Sequence, residues 1–233
     1  LDRLVLDADR AGFPLAVHAI GEKANAVVLD AFEKAAAANA GAAGPQAVAA
    51  DGKRDRRPRI EHAQVVRDAD VARYATLGVV ASIQPTHAID DMRWAEKRIG
   101  KERLHGAYRI RSFLDRGIPV AFGTDFAVEP LDPRLGLHAA VARQTPEGEP
   151  KGGFRKEEGV TLAEAIDLYT RGSAYAEFAE TRKGTLEVGK LGDFVVFAED
   201  LFALEKSNVH RIASAPIDMT VVGGRVVFER TGR

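Results

Sequence analysis

A chain of 233 residues, 45% hydrophobic and 29% charged, is long enough to bury a full core and has the make-up of an ordinary globular protein. Its 33 basic and 34 acidic side chains nearly cancel, so no global field draws nucleic acid or an anionic membrane, and its partners are expected to be small molecules. Cysteine is absent, which excludes disulfides and thiolate ligands and leaves His, Asp, Glu or a modified Lys to hold any metal.

The chain opens on LDRLVLDADRAG, which reads as a helix with Leu1, Leu4, Val5 and Ala8 on one face and Gly12 as its stop. With leucine first and a helix already under way, the expectation is a chain that continues a longer N-terminal region. No apolar run approaches the roughly 18 residues of a spanning helix and no signal peptide is visible, so a cytoplasmic protein without membrane partners is expected. Next, PLAVHAIGEKA sets a short apolar run that ends at His18, then Gly21 and an Ala-rich helix over residues 24–39, with Glu22 and Lys23 in its exposed first turn. The loop AGAAGPQAVAADGKRDRRP closes on a basic run of Lys53, Arg54, Arg56, Arg57 and Arg59 around Asp55. With no stacking aromatic interleaved, it reads as a solvated loop rather than a phosphate-binding patch.

RPRIEHAQ is a strand ending at His62. VARYATLGVVASIQ and IRSFLDRGIPVAFGTD then repeat the opening unit of helix, glycine and β-run, with Gly78 and Gly117 in the place of Gly12. Such alternation predicts parallel βαβ units, and four of them fit half a barrel or a small doubly wound sheet. Trp94 and Tyr108 are expected as packing anchors. TLAEAIDLYTRGSA predicts a helix with a Thr161–Glu164 capping box and an apolar stripe of Leu162, Ala165, Ile166 and Tyr169. Beyond it, KGTLEVGKLGDFVVF and DMTVVGGRVVFER are β-rich, with Gly223 and Gly224 turning a hairpin. Residues 184–197 and 219–229 should pair in a small sheet, which divides the chain into residues 1–182 and 183–233.

The C-terminal ends of parallel strands share one face, and ligands bind there. His18, His62, Gln84 and Asp125 all fall at such ends. Each alone has a structural reading: a hydrogen-bonded strand-end histidine, or for Asp125 a helix cap. Two imidazoles and a carboxylate at equivalent ends of separate strands are, together, the donor types that hold Zn²⁺ or a similar ion with a position left for water. His87, in QPTHAIDD, lies where a loop of that face reaches substrate, or else pairs with Asp90 or Asp91. Gln84 is either a hydrogen-bond donor to substrate or a polar plug among core layers.

Taken in order, VHAIGEKA, RIEHAQVV, ASIQPTHAIDD, GIPVAFGTDFAVEPLDP and GTLEVGKLGDFVVF resemble the successive blocks of the amidohydrolase superfamily, in particular its YtcJ-like, or amidohydrolase-3, branch. The resemblance implies the C-terminal half of a metal-dependent (β/α)8 TIM-type barrel, strands five to eight over residues 1–182, with part of a flanking β-sandwich over 183–233. It implies hydrolysis of amide, formamide or cyclic amide C–N bonds with a divalent metal, zinc first, as one ion or two. His18 and His62 would be the metal ligands of strands five and six. Asp125 would be the eighth-strand ligand and general acid/base, with His87 and Gln84 on the substrate. The family's His-x-His and its fourth-strand ligand have no counterpart here: the six histidines are 18, 62, 87, 105, 138 and 210. A second function class therefore stands beside the hydrolase: a catalytically inactive half-barrel that associates with another copy or another chain through its open edges.

Overall fold

The computed structural model describes residues 1–40 and 54–231. In chain order these form α1 (Asp2–Arg10), β1 (Ala16–Ala19), α2 (Glu22–Ala38), β2 (Arg59–His62), α3 (Asp68–Leu77), β3 (Val80–Ile83), α4 (Pro85–Asp91), α5 (Ala95–Ile99), α6 (Arg111–Leu114) and β4 (Val120–Phe122). There follow α7 (Pro133–Ala142), α8 (Leu162–Asp167), α9 (Ser173–Ala176), β5 (Phe194–Phe197), α10 (Leu201–Ser207), β6 (Ile217–Val222) and β7 (Arg225–Glu229). The fold is mixed α/β with a parallel sheet. Two compact units emerge, one of residues 1–83 and 99–120, the other of residues 84–98 and 121–233.

The first unit is built from the repeat legible in the sequence. β1 pairs in parallel with β2, and β2 with β3, in the registers Ala16↔Arg59 and Arg59↔Val80. The Ala81 N–H donates to the Pro119 carbonyl at 2.9 Å, which sets the entry of β4 beside β3. Gly12, Gly78 and Gly117 stop the preceding helices in left-handed conformations, φ 82°, 62° and 66°, where a β-carbon is disfavoured. Leu29, Phe32, Ile60, Val66, Val71, Tyr74, Ile110 and Phe113 fill the core.

Two expectations for this unit are corrected. In α1 the buried residues are Val5 and Asp9, while Leu1 and Leu4 are 51% and 74% exposed. The reason is electrostatic: Asp9 binds the Arg54 guanidinium, the Arg56 Nε at 2.9 Å and the Asn39 amide at 2.9 Å, and this network pulls the polar edge of the helix inward. The same contacts overturn the solvated reading of the basic run. Arg54 is buried against Asp9, and Arg57 and Arg59 pair with Asp55 and Glu61. Lys53 and residues 41–52 lie outside the described residues. Tyr108 is buried as expected of an anchor; in the second unit, Trp94 is 43% exposed and is not one.

In the second unit, α8 opens with the expected capping box, Thr161 and Glu164 each satisfying the other's backbone N–H. Its helix runs on into a π-turn, Leu168–Gly172, before α9. β5, β6 and β7 form an antiparallel sheet in that order, with Gly223 and Gly224 at φ 56° and 75° in the hairpin. Only residues 194–197 of the expected first segment pair. The alternation in TLEVG does not form a strand, because glycines 184 and 189 sit at φ 95° and 94° and turn the chain. α10 and a 3₁₀ segment, Val209–Ser214, intervene before β6.

Candidate metal and catalytic centre

In the first unit the site begins with two histidines. In a parallel pair, residues in register share a face, and successive side chains alternate. His62 is in register with Ala19, not His18, so regular strands would send the two rings to opposite faces. The backbone resolves this. β2 ends with His62 at φ 79° and Ala63 at φ 43°, left-handed conformations that cost a non-glycine residue on the order of 1 kcal/mol or more each. The twist lifts His62 out of alternation, and its ring meets that of His18 edge-on, centroids 4.4 Å apart. His18 is exposed and His62 buried.

What over-determines that strained end is a side chain the sequence reading passed over. Asn25, fully buried on α2, directs its amide at the carbonyls of Ala19, which ends β1, of Ile20 and Gly21 just after it, and of Val65, which follows β2, at 2.9 to 3.3 Å. Its carbonyl oxygen accepts the Tyr74 hydroxyl at 2.6 Å. One amide therefore ties together the turns that follow both histidine-bearing strands.

In the second unit His87 is on a helix, not in the expected loop, because Pro85 stands in the first turn of α4, where its missing N–H costs nothing. Gln84 is the N-cap residue, buried, its carbonyl accepting the His87 N–H at 3.1 Å. His87 Nε2 lies 3.7 Å from Asp125 Oδ2 and also 3.7 Å from Glu129 Oε1. Asp125 is half-buried and itself left-handed, φ 58°. From it the chain makes one tight turn, the N–H groups of Val128 and Glu129 donating to the Asp125 carbonyl at 2.8 and 3.3 Å. That turn brings the Glu129 carboxyl back to His87. Asp125 caps no helix: the N-cap of α7 is Asp132, which accepts the Arg134 N–H at 3.0 Å.

Glu129 was not singled out by sequence, since nothing in VEPLDP distinguishes a buried acid from a solvated one. Burial, and then the nearby Asp90, Asp91 and Asp125, push its carboxyl up to about 7.

His18 and His62 present the nitrogen donors that zinc-like ions prefer, on neighbouring strands and with rings in contact, so this half of the donor set fits a divalent metal.

The amidohydrolase family pattern matches residues 1–228, and the chain belongs to that family. It is 33% identical over 231 residues to the protein named "Putative amidohydrolase YtcJ" of Bacillus subtilis, covering 99% of this chain and 40% of that protein. An N-substituted formamide deformylase of Arthrobacter pascens is 29% identical over 234 residues, covering 98% of this chain and 39% of that one. Among solved structures, an uncharacterised metal-dependent hydrolase of Pyrococcus horikoshii matches with a TM-score of 0.72 and 31% identity over 89% of this chain and 38% of that one. The chain spans about two fifths of the length of the curated relatives it matches.

Proposed function

We propose that this chain supplies strands five to eight of a metal-dependent (β/α) barrel over residues 1–182 and part of its flanking β-sandwich over 183–233, and that the protein hydrolyses non-peptide C–N bonds. The observation that carries the reading is the His18–His62 ring contact at the ends of two parallel strands, in a chain of the amidohydrolase family. His18, His62 and Asp125 would hold the ion, zinc being the best match to imidazole and carboxylate donors. When bound, such an ion supplies Lewis-acid polarisation of a carbonyl and lowers the pKa of water.

The chain's own residues do the proton work. Asp125 accepts the proton of the attacking water as the C–O bond forms, then delivers it to the leaving nitrogen as the C–N bond breaks, so the amine departs neutral. His87, held between Asp125 and Glu129, donates a hydrogen bond to the substrate's carbonyl side, and Gln84 orients the amide from the start of α4. The formamide deformylase relative supports small N-substituted formamides as the first substrates to try.

A second reading is a non-catalytic half-barrel that associates with another copy or another chain through its open sheet edges. Hydrolysis separates the two. The zinc-loaded chain, alone and co-expressed with the N-terminal portion of the Bacillus relative, is assayed for amine release from N-alkyl formamides, linear amides and cyclic amides. Turnover abolished by Asp125→Asn supports the hydrolase; zinc binding without turnover in either arrangement favours the module.

A further inference from the structure

Asp125 stands three residues beyond the end of β4, in a left-handed conformation that its neighbours must enforce. Two hydroxyls from the segment that continues α8, Tyr169 in the π-turn and Ser173 at the start of α9, reach the backbone leading to it. Ser173 Oγ lies 2.8 Å from the Phe122 carbonyl and 3.2 Å from that of Leu168, which share its proton. Tyr169 Oη donates to the Gly123 carbonyl at 3.4 Å, and its ring meets the Phe122 ring edge-on with centroids 5.3 Å apart. Residues 169 and 173 are four apart, and the π-turn between α8 and α9 widens the helix so that both face β4. α7 makes room for this contact: a β-carbon on Gly136 would stand 1.8 Å from the Tyr169 hydroxyl. Burial raises the phenol's pKa, which keeps it a proton donor throughout the neutral range.

We propose that Tyr169 and Ser173 are positioning residues for Asp125, a hydroxyl latch that fixes the Phe122 and Gly123 carbonyls and through them the direction of the Asp125 carboxylate. The inference rests on the reading of Asp125 as a metal ligand. A helix that merely packed on β4 would need neither hydroxyl, since phenylalanine and alanine fill the same space.

The test compares the full chain with Tyr169→Phe, Ser173→Ala, the double variant, and Ser173→Thr, which keeps the hydroxyl. Affinity for Co²⁺ and its visible absorption report the ligand geometry, and amide hydrogen exchange at Thr124 and Asp125 reports the latch in the metal-free chain. In the double variant Co²⁺ affinity should fall roughly 10- to 100-fold. Its absorption band should shift and exchange at both amides should accelerate, while Ser173→Thr stays near the parent. Should the double variant unfold, Tyr169→Phe alone carries the comparison, with a smaller change in the same direction. Parental affinity, spectrum and exchange in the folded variants would overturn the latch. Failure of the parent chain to take up Co²⁺ would instead overturn the reading of Asp125 as a ligand, and the latch would then stand or fall on the exchange rates.

Discussion

Asn25 ties together the turns that follow both histidine-bearing strands. Its amide has two hydrogens and is surrounded by the carbonyls of Ala19, Ile20, Gly21 and Val65, while its own oxygen receives the Tyr74 hydroxyl, and Asn25 itself is fully buried. Such a node is favourable only when complete, because buried groups stripped of partners cost about 1 to 3 kcal/mol each. Asn25→Ala is predicted to lower the unfolding free energy by about 3 kcal/mol, read from urea titration. Asn25→Asp should be at least as damaging despite its identical shape, because it turns a donor into a charge facing carbonyl oxygens. An aspartate variant as stable as the parent would show that the amide's hydrogen bonds contribute nothing. Nothing in GEKANAVV marks this asparagine: its hydrogen bonds span 40 residues of sequence to Val65, and periodicity reports only on the helix that carries it. His18 and His62 were legible because strand ends of one sense must share a face. Their ring contact was not, since it depends on the left-handed backbone at His62. Pro85 did hold the signal that His87 is helical, as proline favours the first turn.

Among the elements, α7 and the 3₁₀ segment Val209–Ser214 are joined by a histidine pair with its own pH response. His138, on α7 and fully buried, has its Nε2 3.0 Å from His210 Nδ1, so the pair shares one N–H between two rings. Burial, and then the neighbouring His210, hold His138 down at about 4, against the smaller opposing pull of Glu147. The unfolded chain takes up a proton near pH 6.5 that the folded chain refuses until about pH 4. Stability is therefore unaffected by this group above about 6.5 and falls as the pH drops from there, by up to about 1.4 kcal/mol per pH unit and on the order of 3 kcal/mol in all. Thermal midpoints between pH 7 and 4.5 should decline, and His138→Gln should flatten that decline. An unchanged slope in the variant would assign the acid sensitivity elsewhere. Elements with strong local signals were legible: the three helix–glycine–strand repeats, the Thr161 capping box and the Gly-Gly hairpin all form where their residues place them. Those that failed were set by tertiary forces. TLEVG alternates like a strand, yet its flanking glycines turn, and α1 buries an aspartate because distant arginines meet it.

For the whole molecule, the chain divides into two compact units, and each holds one part of the proposed centre: the histidine pair in the first, and Asp125 with His87 and Glu129 in the second. Both parts use left-handed backbone at a residue of the proposed centre, His62 and Asp125, and both are braced by side chains from neighbouring helices. Strain held in place this way is a common mark of functional positions. The central claim is that His18, His62 and Asp125 act together on one divalent ion, and it is tested most directly by counting bound metal. The purified chain is stripped with chelator, titrated with Zn²⁺ by calorimetry, and analysed for metal after dialysis, alongside His18→Ala, His62→Ala and Asp125→Ala variants confirmed folded by circular dichroism. About one tightly held zinc per chain, lost or strongly weakened in each single variant, is the predicted result. A parent chain that holds no zinc, or single variants that hold as much as the parent, would contradict it.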